Sequence, residues 1–88
     1  MHMSVRDDIV QKLSVKFAPS HLEVIDESDK HQGHAGWRDG GATHFRVRIA
    51  SPMFAGQSRL MQHRAVMDAL AAELKAGVHA LAVEIVAE

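Results

Sequence analysis

From His44 to Ile49 polar and apolar residues alternate without a break. Phe45, Val47 and Ile49 fall on one side of an extended chain, and His44, Arg46 and Arg48 on the other. A helix, with its period near 3.6, cannot gather such a pattern onto one face, so the segment reads as a half-covered β-strand. Something apolar must therefore lie over the Phe–Val–Ile face. In a chain of 88 residues the cover has to come from the same single core. An apolar content of 47% is ordinary for a globular domain and argues against disorder.

The flanking segments supply candidates for that cover. Ser4 reads as a helix N-cap with Asp7 three residues on, reaching back, and Val5, Ile9, Leu13 and Phe17 recur every fourth residue as one stripe until Pro19 closes the helix. Leu22 to Glu27 alternates as a strand with Leu22 and Val24 inward. Asp29 to Ala42 has no period and holds Gly33, Gly36, Gly40 and Gly41; such long irregular segments in compact domains are usually functional or mobile. Pro52 ends the central strand, and Pro52 to Gly56 reads as a turn or one short helical turn. Ser58 caps a second helix running to about Ala76, with Leu60, His63, Met67, Leu70 and Leu74 on one face and Val66 beside them. Gly77 follows where a left-handed C-cap is wanted. Val78 to Val86 is the last strand, with His79, Leu81, Val83 and Ile85 on one face and mostly alanine on the other.

The order helix, strand, strand, helix, strand predicts an α+β fold of two layers, α-β-β-α-β, with helices on one side of a three-stranded mixed sheet. Glu23 and Glu84, on outward positions, are expected to meet Arg46 and Arg48 across it. Met1-His2-Met3 looks like a cloning remnant, leaving residues 4–88 as one domain.

Several function classes drop out. A formal charge of −1 is incompatible with a broadly basic nucleic-acid glue, though not with a local basic patch. No apolar run approaches a membrane span and no signal peptide is read, so a cytoplasmic protein is expected. The absence of cysteine excludes disulfides and any thiolate metal site within this chain. No nucleophile motif, phosphate loop or paired-carboxylate signature appears, which speaks against an enzyme. Ser20 and His21 are mere sequence neighbours, and Asp26 and Glu27 point to opposite faces of a strand.

Seven histidines in so short a chain make a borderline metal the natural ligand to consider. His31 and His34 lie three residues apart in the glycine-rich segment, and His79 opens the last strand. Against a ligand role stand ordinary alternatives: His79 as a partly buried histidine bonded to a loop carbonyl, and His31 and His34 as solvated loop residues. His44 is expected to face solvent, His63 to pack on the apolar helix face, and His21 carries no chemical signal. Zinc held by His31, His34 and His79 alone is the simplest metal site of this kind. Trp37, the single tryptophan, is either an exposed partner anchor or a cover for the sheet edge.

Five segments occur in a telling order: Val24-Ile25-Asp26-Glu27-Ser28, Thr43-His44-Phe45-Arg46-Val47-Arg48-Ile49, Phe54-Ala55-Gly56, Gln62-His63-Arg64 and Val78-His79-Ala80-Leu81. From about Leu22 to Leu81 the chain resembles the BolA family of small α/β proteins. The resemblance implies an arrangement similar to the class II KH fold. It also implies a non-catalytic protein that pairs with a monothiol glutaredoxin and shares a bridging [2Fe–2S] cluster, in cluster assembly, transfer or iron regulation. His79 matches one family ligand position directly; the other, in the loop between the first two strands, falls on either His31 or His34. The partner and glutathione would bring the thiolates, so no cofactor is expected in the isolated chain; whether that chain forms a homodimer is left open.

The alternative that the resemblance implies is a DNA-binding transcriptional regulator using Arg59, His63 and Arg64 on the second helix. Two departures weaken it. Gln62 stands where the family pattern has arginine, and Phe54-Ala55-Gly56-Gln57-Ser58-Arg59 lacks the Gly-x-x-Gly clamp of KH domains. With two or three phosphate contacts, binding would be weak and lost steeply with salt.

Overall fold

A computed structural model describes residues 4–28, 44–78 and 80–88. The expectations for residues 1–3, for the segment with His31, His34 and Trp37, and for His79 lie outside the described residues. Helix α1 (Val5–Phe17) begins as its sequence predicts, with Ser4 Oγ accepting the amide of Asp7 at 3.1 Å. The Asp7 carboxylate lies 3.7 Å from Arg6 Nη1. Ile9, Leu13 and Phe17 are buried and Val5 packs against them. The helix ends at Ala18, which adopts left-handed φ 43°, ψ 56° and bonds its N–H to the Ser14 carbonyl. Pro19 then prevents a further turn.

Strand β1 (His21–Asp26) pairs antiparallel with β2 (His44–Ala50), from His21–Ala50 to Asp26–Phe45. Strand β3 (Ala80–Ile85) pairs parallel with β2, from His44–Ala80 to Ile49–Ile85. The sheet is thus mixed, with order β1-β2-β3 and the most clearly patterned strand in the middle. Phe45, Val47 and Ile49 are buried under the helices together with Val24, Phe54, Val66, Leu70 and Val78. A 3-10 turn (Pro52–Phe54) brings the Phe54 ring to 5.1 Å from that of Phe17, and buried Ser51 Oγ donates to the Phe17 carbonyl at 2.6 Å.

Four expectations are corrected. The single helix to Ala76 is two, α2 (Arg59–Ala69) and α3 (Ala71–Ala76), separated at Leu70 with φ −106° and ψ 16°. The local sequence Ala69-Leu70-Ala71-Ala72 holds only strong helix formers, so nothing local signals a break. The Leu70 amide is shared between the carbonyls of Val66 and Met67, both at 3.2 Å, while Leu74 still bonds the Leu70 carbonyl at 3.0 Å. The ladder tightens by one turn and continues, and Leu70 is fully buried; packing overrides propensity.

Leu60, expected on the apolar face, is 59% exposed. Val66 and Leu70 centre the buried face, and Leu60 lies about 120° round the helix from Val66. His44, expected to face solvent, is buried. The chain just past β1 continues the pairing beside it: the His44 amide donates to Ser28 Oγ at 3.2 Å and its carbonyl accepts the Glu27 amide at 2.8 Å. The last strand is also shorter than expected, since Val78 precedes it as a core residue. Gly77 closes α3 with φ 143°, its N–H on the Glu73 carbonyl, as its position predicts.

Two substitutions test this packing. Leu13→Ala is expected to cost about 2–5 kcal/mol in urea unfolding, because Leu13 is wholly enclosed. Ala18→Gly is expected to add about 1 kcal/mol by relieving the left-handed alanine, and a loss of stability would contradict the cap described.

Candidate functional site

The ends of β2 and β3 meet where the segments with the candidate ligands join the fold. The segment carrying His31 and His34 follows Ser28 and precedes His44. His44 is the register partner of Ala80, the residue after His79. Asp26 Oδ1 accepts both the amide of Ser28 and its hydroxyl, and Ser28 Oγ accepts the His44 amide, so the two sides of this opening are tied together. Beside it lies a cavity of about 230 Å³ lined by Glu27, His44, Phe45, Arg46, Ala80 and Leu81, with Ala82. Among the described residues no group of three His, Asp or Glu side chains is arranged to hold a metal ion.

A chain of ion pairs crosses the solvent face of the sheet and ends at that cavity. Arg46 Nε reaches Glu27 Oε2 at 3.0 Å and its Nη1 reaches Glu84 Oε2 at 3.2 Å. Arg48 Nε also donates to Glu84 Oε2 at 3.0 Å, and its Nη1 lies 3.6 Å from Glu23 Oε2. Glu23 and Glu84 are the register partners of Arg48, as alternation predicts. Glu27 was not singled out as a partner. The signal was its parity with Glu23, which puts both acids on the arginine face once β1 is in register. The Glu27 side chain is only 11% exposed, so its pair with Arg46 is the better shielded link.

Hydrogen bonds from Arg48 and then Arg46 hold the Glu84 carboxyl below the usual carboxylate range, and Glu27 holds the Arg46 guanidinium above its ordinary value. A depressed folded value means stability that is present above the unfolded value and lost as pH falls through the folded one. The urea midpoint is therefore expected to fall as pH drops below the usual carboxylate range, and Glu84→Gln to flatten that fall. An equally steep fall in Glu84→Gln would contradict the assignment.

The second candidate lies on α2. Ser58 Oγ caps it through the Met61 amide at 3.2 Å. Arg59 and half-buried His63, one turn apart, line a groove of about 360 Å³ with Val83, Glu84, Ile85 and Val86. Arg64 is exposed and does not line that groove. Gln62 is committed within the chain, its Nε2 donating to the carbonyls of Phe54 at 3.1 Å and Gln57 at 3.2 Å.

Comparison with known proteins agrees with this fold. The family model described as BolA-like protein matches residues 13–88. A Sinorhizobium protein titled "Uncharacterized protein in cobS 5'region" is 54% identical over 83 residues, covering 93% of this chain and 89% of that one. The DNA-binding transcriptional regulator BolA of Escherichia coli is 42% identical over 80 residues, covering 91% of this chain and 72% of the regulator. Among solved structures, the BolA domain of SufE1 from Arabidopsis thaliana superposes with a TM-score of 0.85 at 39% identity, covering 99% of this chain and 95% of that domain. A helical layer over a β1-β2-β3 mixed sheet, the matched residues 13–88 and these relatives lead to one conclusion: the chain belongs to the BolA family.

Proposed function

We propose that the protein is a non-catalytic partner of a monothiol glutaredoxin and shares a [2Fe–2S] cluster with it, in cluster assembly, transfer or iron regulation. His79 and either His31 or His34 are this chain's donors in that reading. The observation that carries it is the pairing of His44 with Ala80, because the strand ends flanking both candidate segments are then neighbours.

The donor set fits a shared group and not a resident one. Without cysteine the chain offers imidazoles, enough for part of a four-ligand centre, so thiolates must come from the partner and glutathione. When bound, the cluster supplies one-electron or cluster-transfer chemistry, at a potential that imidazole ligation raises. The described residues brace the opening. Ser28 and His44 tie its two sides, and Arg46 links Glu27 at the end of β1 to Glu84 on β3. Small residues Ala80 and Ala82 leave room beside Arg46.

A second reading is a DNA-binding regulator, the role named in the Escherichia coli relative. Arg59 and Arg64 favour it: both are exposed on α2, and neither has a salt bridge among the described residues. With Gln62 bonded internally, two or three phosphate contacts remain, and affinity should fall steeply with salt.

Co-expression with a monothiol glutaredoxin separates these readings. A coloured heterodimer with [2Fe–2S] absorption and circular dichroism is expected, and His79→Ala is expected to change both spectra. An unchanged spectrum in that variant contradicts the ligand assignment. A specific, salt-sensitive DNA mobility shift at micromolar protein, without a coloured heterodimer, favours the regulator.

A further inference from the structure

The two edges of the sheet are treated differently. On β1, Arg6 Nε of helix α1 donates to the Val24 carbonyl at 2.9 Å, so a long cationic side chain plugs the middle of that edge. Such plugs are a common protection against unwanted strand pairing. On β3 the Val86 amide bonds the Ile49 carbonyl at 2.9 Å. Residues of the same parity, Ala82 and Glu84, turn their main-chain groups toward β2, and Leu81, Val83 and Ile85 turn theirs away. Among the described residues none takes up these outward N–H and C=O groups. An unprotected edge with donors and acceptors at every second residue is a template for an added strand.

The groove beside this edge gives the chemistry of what would be added. Arg59 and His63 stand on its α2 side, and Val83, Ile85 and Val86 form its apolar wall. Glu84 is its one acidic residue, and Arg46 and Arg48 both engage that carboxylate. Leu60 and Met61, 59% and 53% exposed, follow Arg59 on the helix. We propose that the outer edge of β3 takes an extended acidic peptide segment of a partner protein as a fourth strand, with Arg59 and His63 reading its carboxylates. Main-chain hydrogen bonds supply the affinity, and a guanidinium–carboxylate contact supplies the selectivity. A phosphodiester backbone has no alternating donors to offer the edge and gains nothing from an apolar wall, so the surface favours peptide over nucleic acid. This inference does not depend on the shared cluster.

The test titrates the isotope-labelled full chain with a blocked hexapeptide alternating glutamate with threonine or valine, followed by NMR. Saturable shifts centred on the amides of Leu81, Val83 and Ile85 are expected, with hydrogen exchange at those amides slowed roughly tenfold at saturation. Arg59 is exposed, so Arg59→Glu should keep the wild-type unfolding midpoint and lose roughly tenfold in peptide affinity. The same peptide N-methylated at alternate residues keeps its charges and should lose the exchange protection. Absence of saturable shifts, or binding that ignores both changes, overturns the proposal. So does a short DNA duplex that shifts the same amides at lower concentration than the peptide.

Discussion

The parallel pairing of β2 with β3 is the constraint on which the rest depends. Register is strict where one face is buried, because a slip by one residue turns every side chain over. Here a slip would expose Phe45, Val47 and Ile49 and bury Arg46 and Arg48, so the core itself holds His44 opposite Ala80. The same register sets Glu84 opposite Arg48 and within reach of Arg46, which completes the ion-pair chain to Glu27. Burial on one face thereby fixes the electrostatics of the other, and with them the neighbours of both candidate ligand segments.

Much of this was legible because the determinants are local. The alternation in β2, the caps at Ser4 and Ser58, the stop at Pro19 and the turn at Gly77 each act through their own few residues. What escaped depends on contacts distant in sequence. The helix is interrupted at Leu70, whose side chain is fully buried in the core, and an alanine-rich stretch gives no local warning. His44 is buried where the chain past β1 pairs with it through Glu27 and Ser28, a neighbour that alternation within β2 cannot reveal. Glu27 became visible as a partner only once β1 and β2 were in register. Leu60 differs for another reason: the buried face of α2 centres on Val66 and Leu70, and Leu60 lies to one side of it.

The molecule presents two adjoining surfaces along β3. One is the opening at the starts of β2 and β3, braced by Ser28, Arg46 and Glu27 and flanked by small alanines. The other is the edge of β3 toward its C-terminal half, with Arg59 and His63 alongside. A protein that joins a second chain at one surface and a third at the other needs no catalytic machinery of its own. In that picture α2 serves as a rim for the edge groove, and its cations need not be explained by nucleic acid alone.

Paramagnetic broadening in the reconstituted complex with a monothiol glutaredoxin is the most direct test of the central claim. Reducing the cluster makes it a local relaxation source, and the amides flanking both candidate segments are described residues: Ser28 and His44 on one side, Val78 and Ala80 on the other. The account predicts that these four signals weaken together while those of Arg59 to Arg64 persist. Broadening that spares either flank, or that centres on α2, would contradict it.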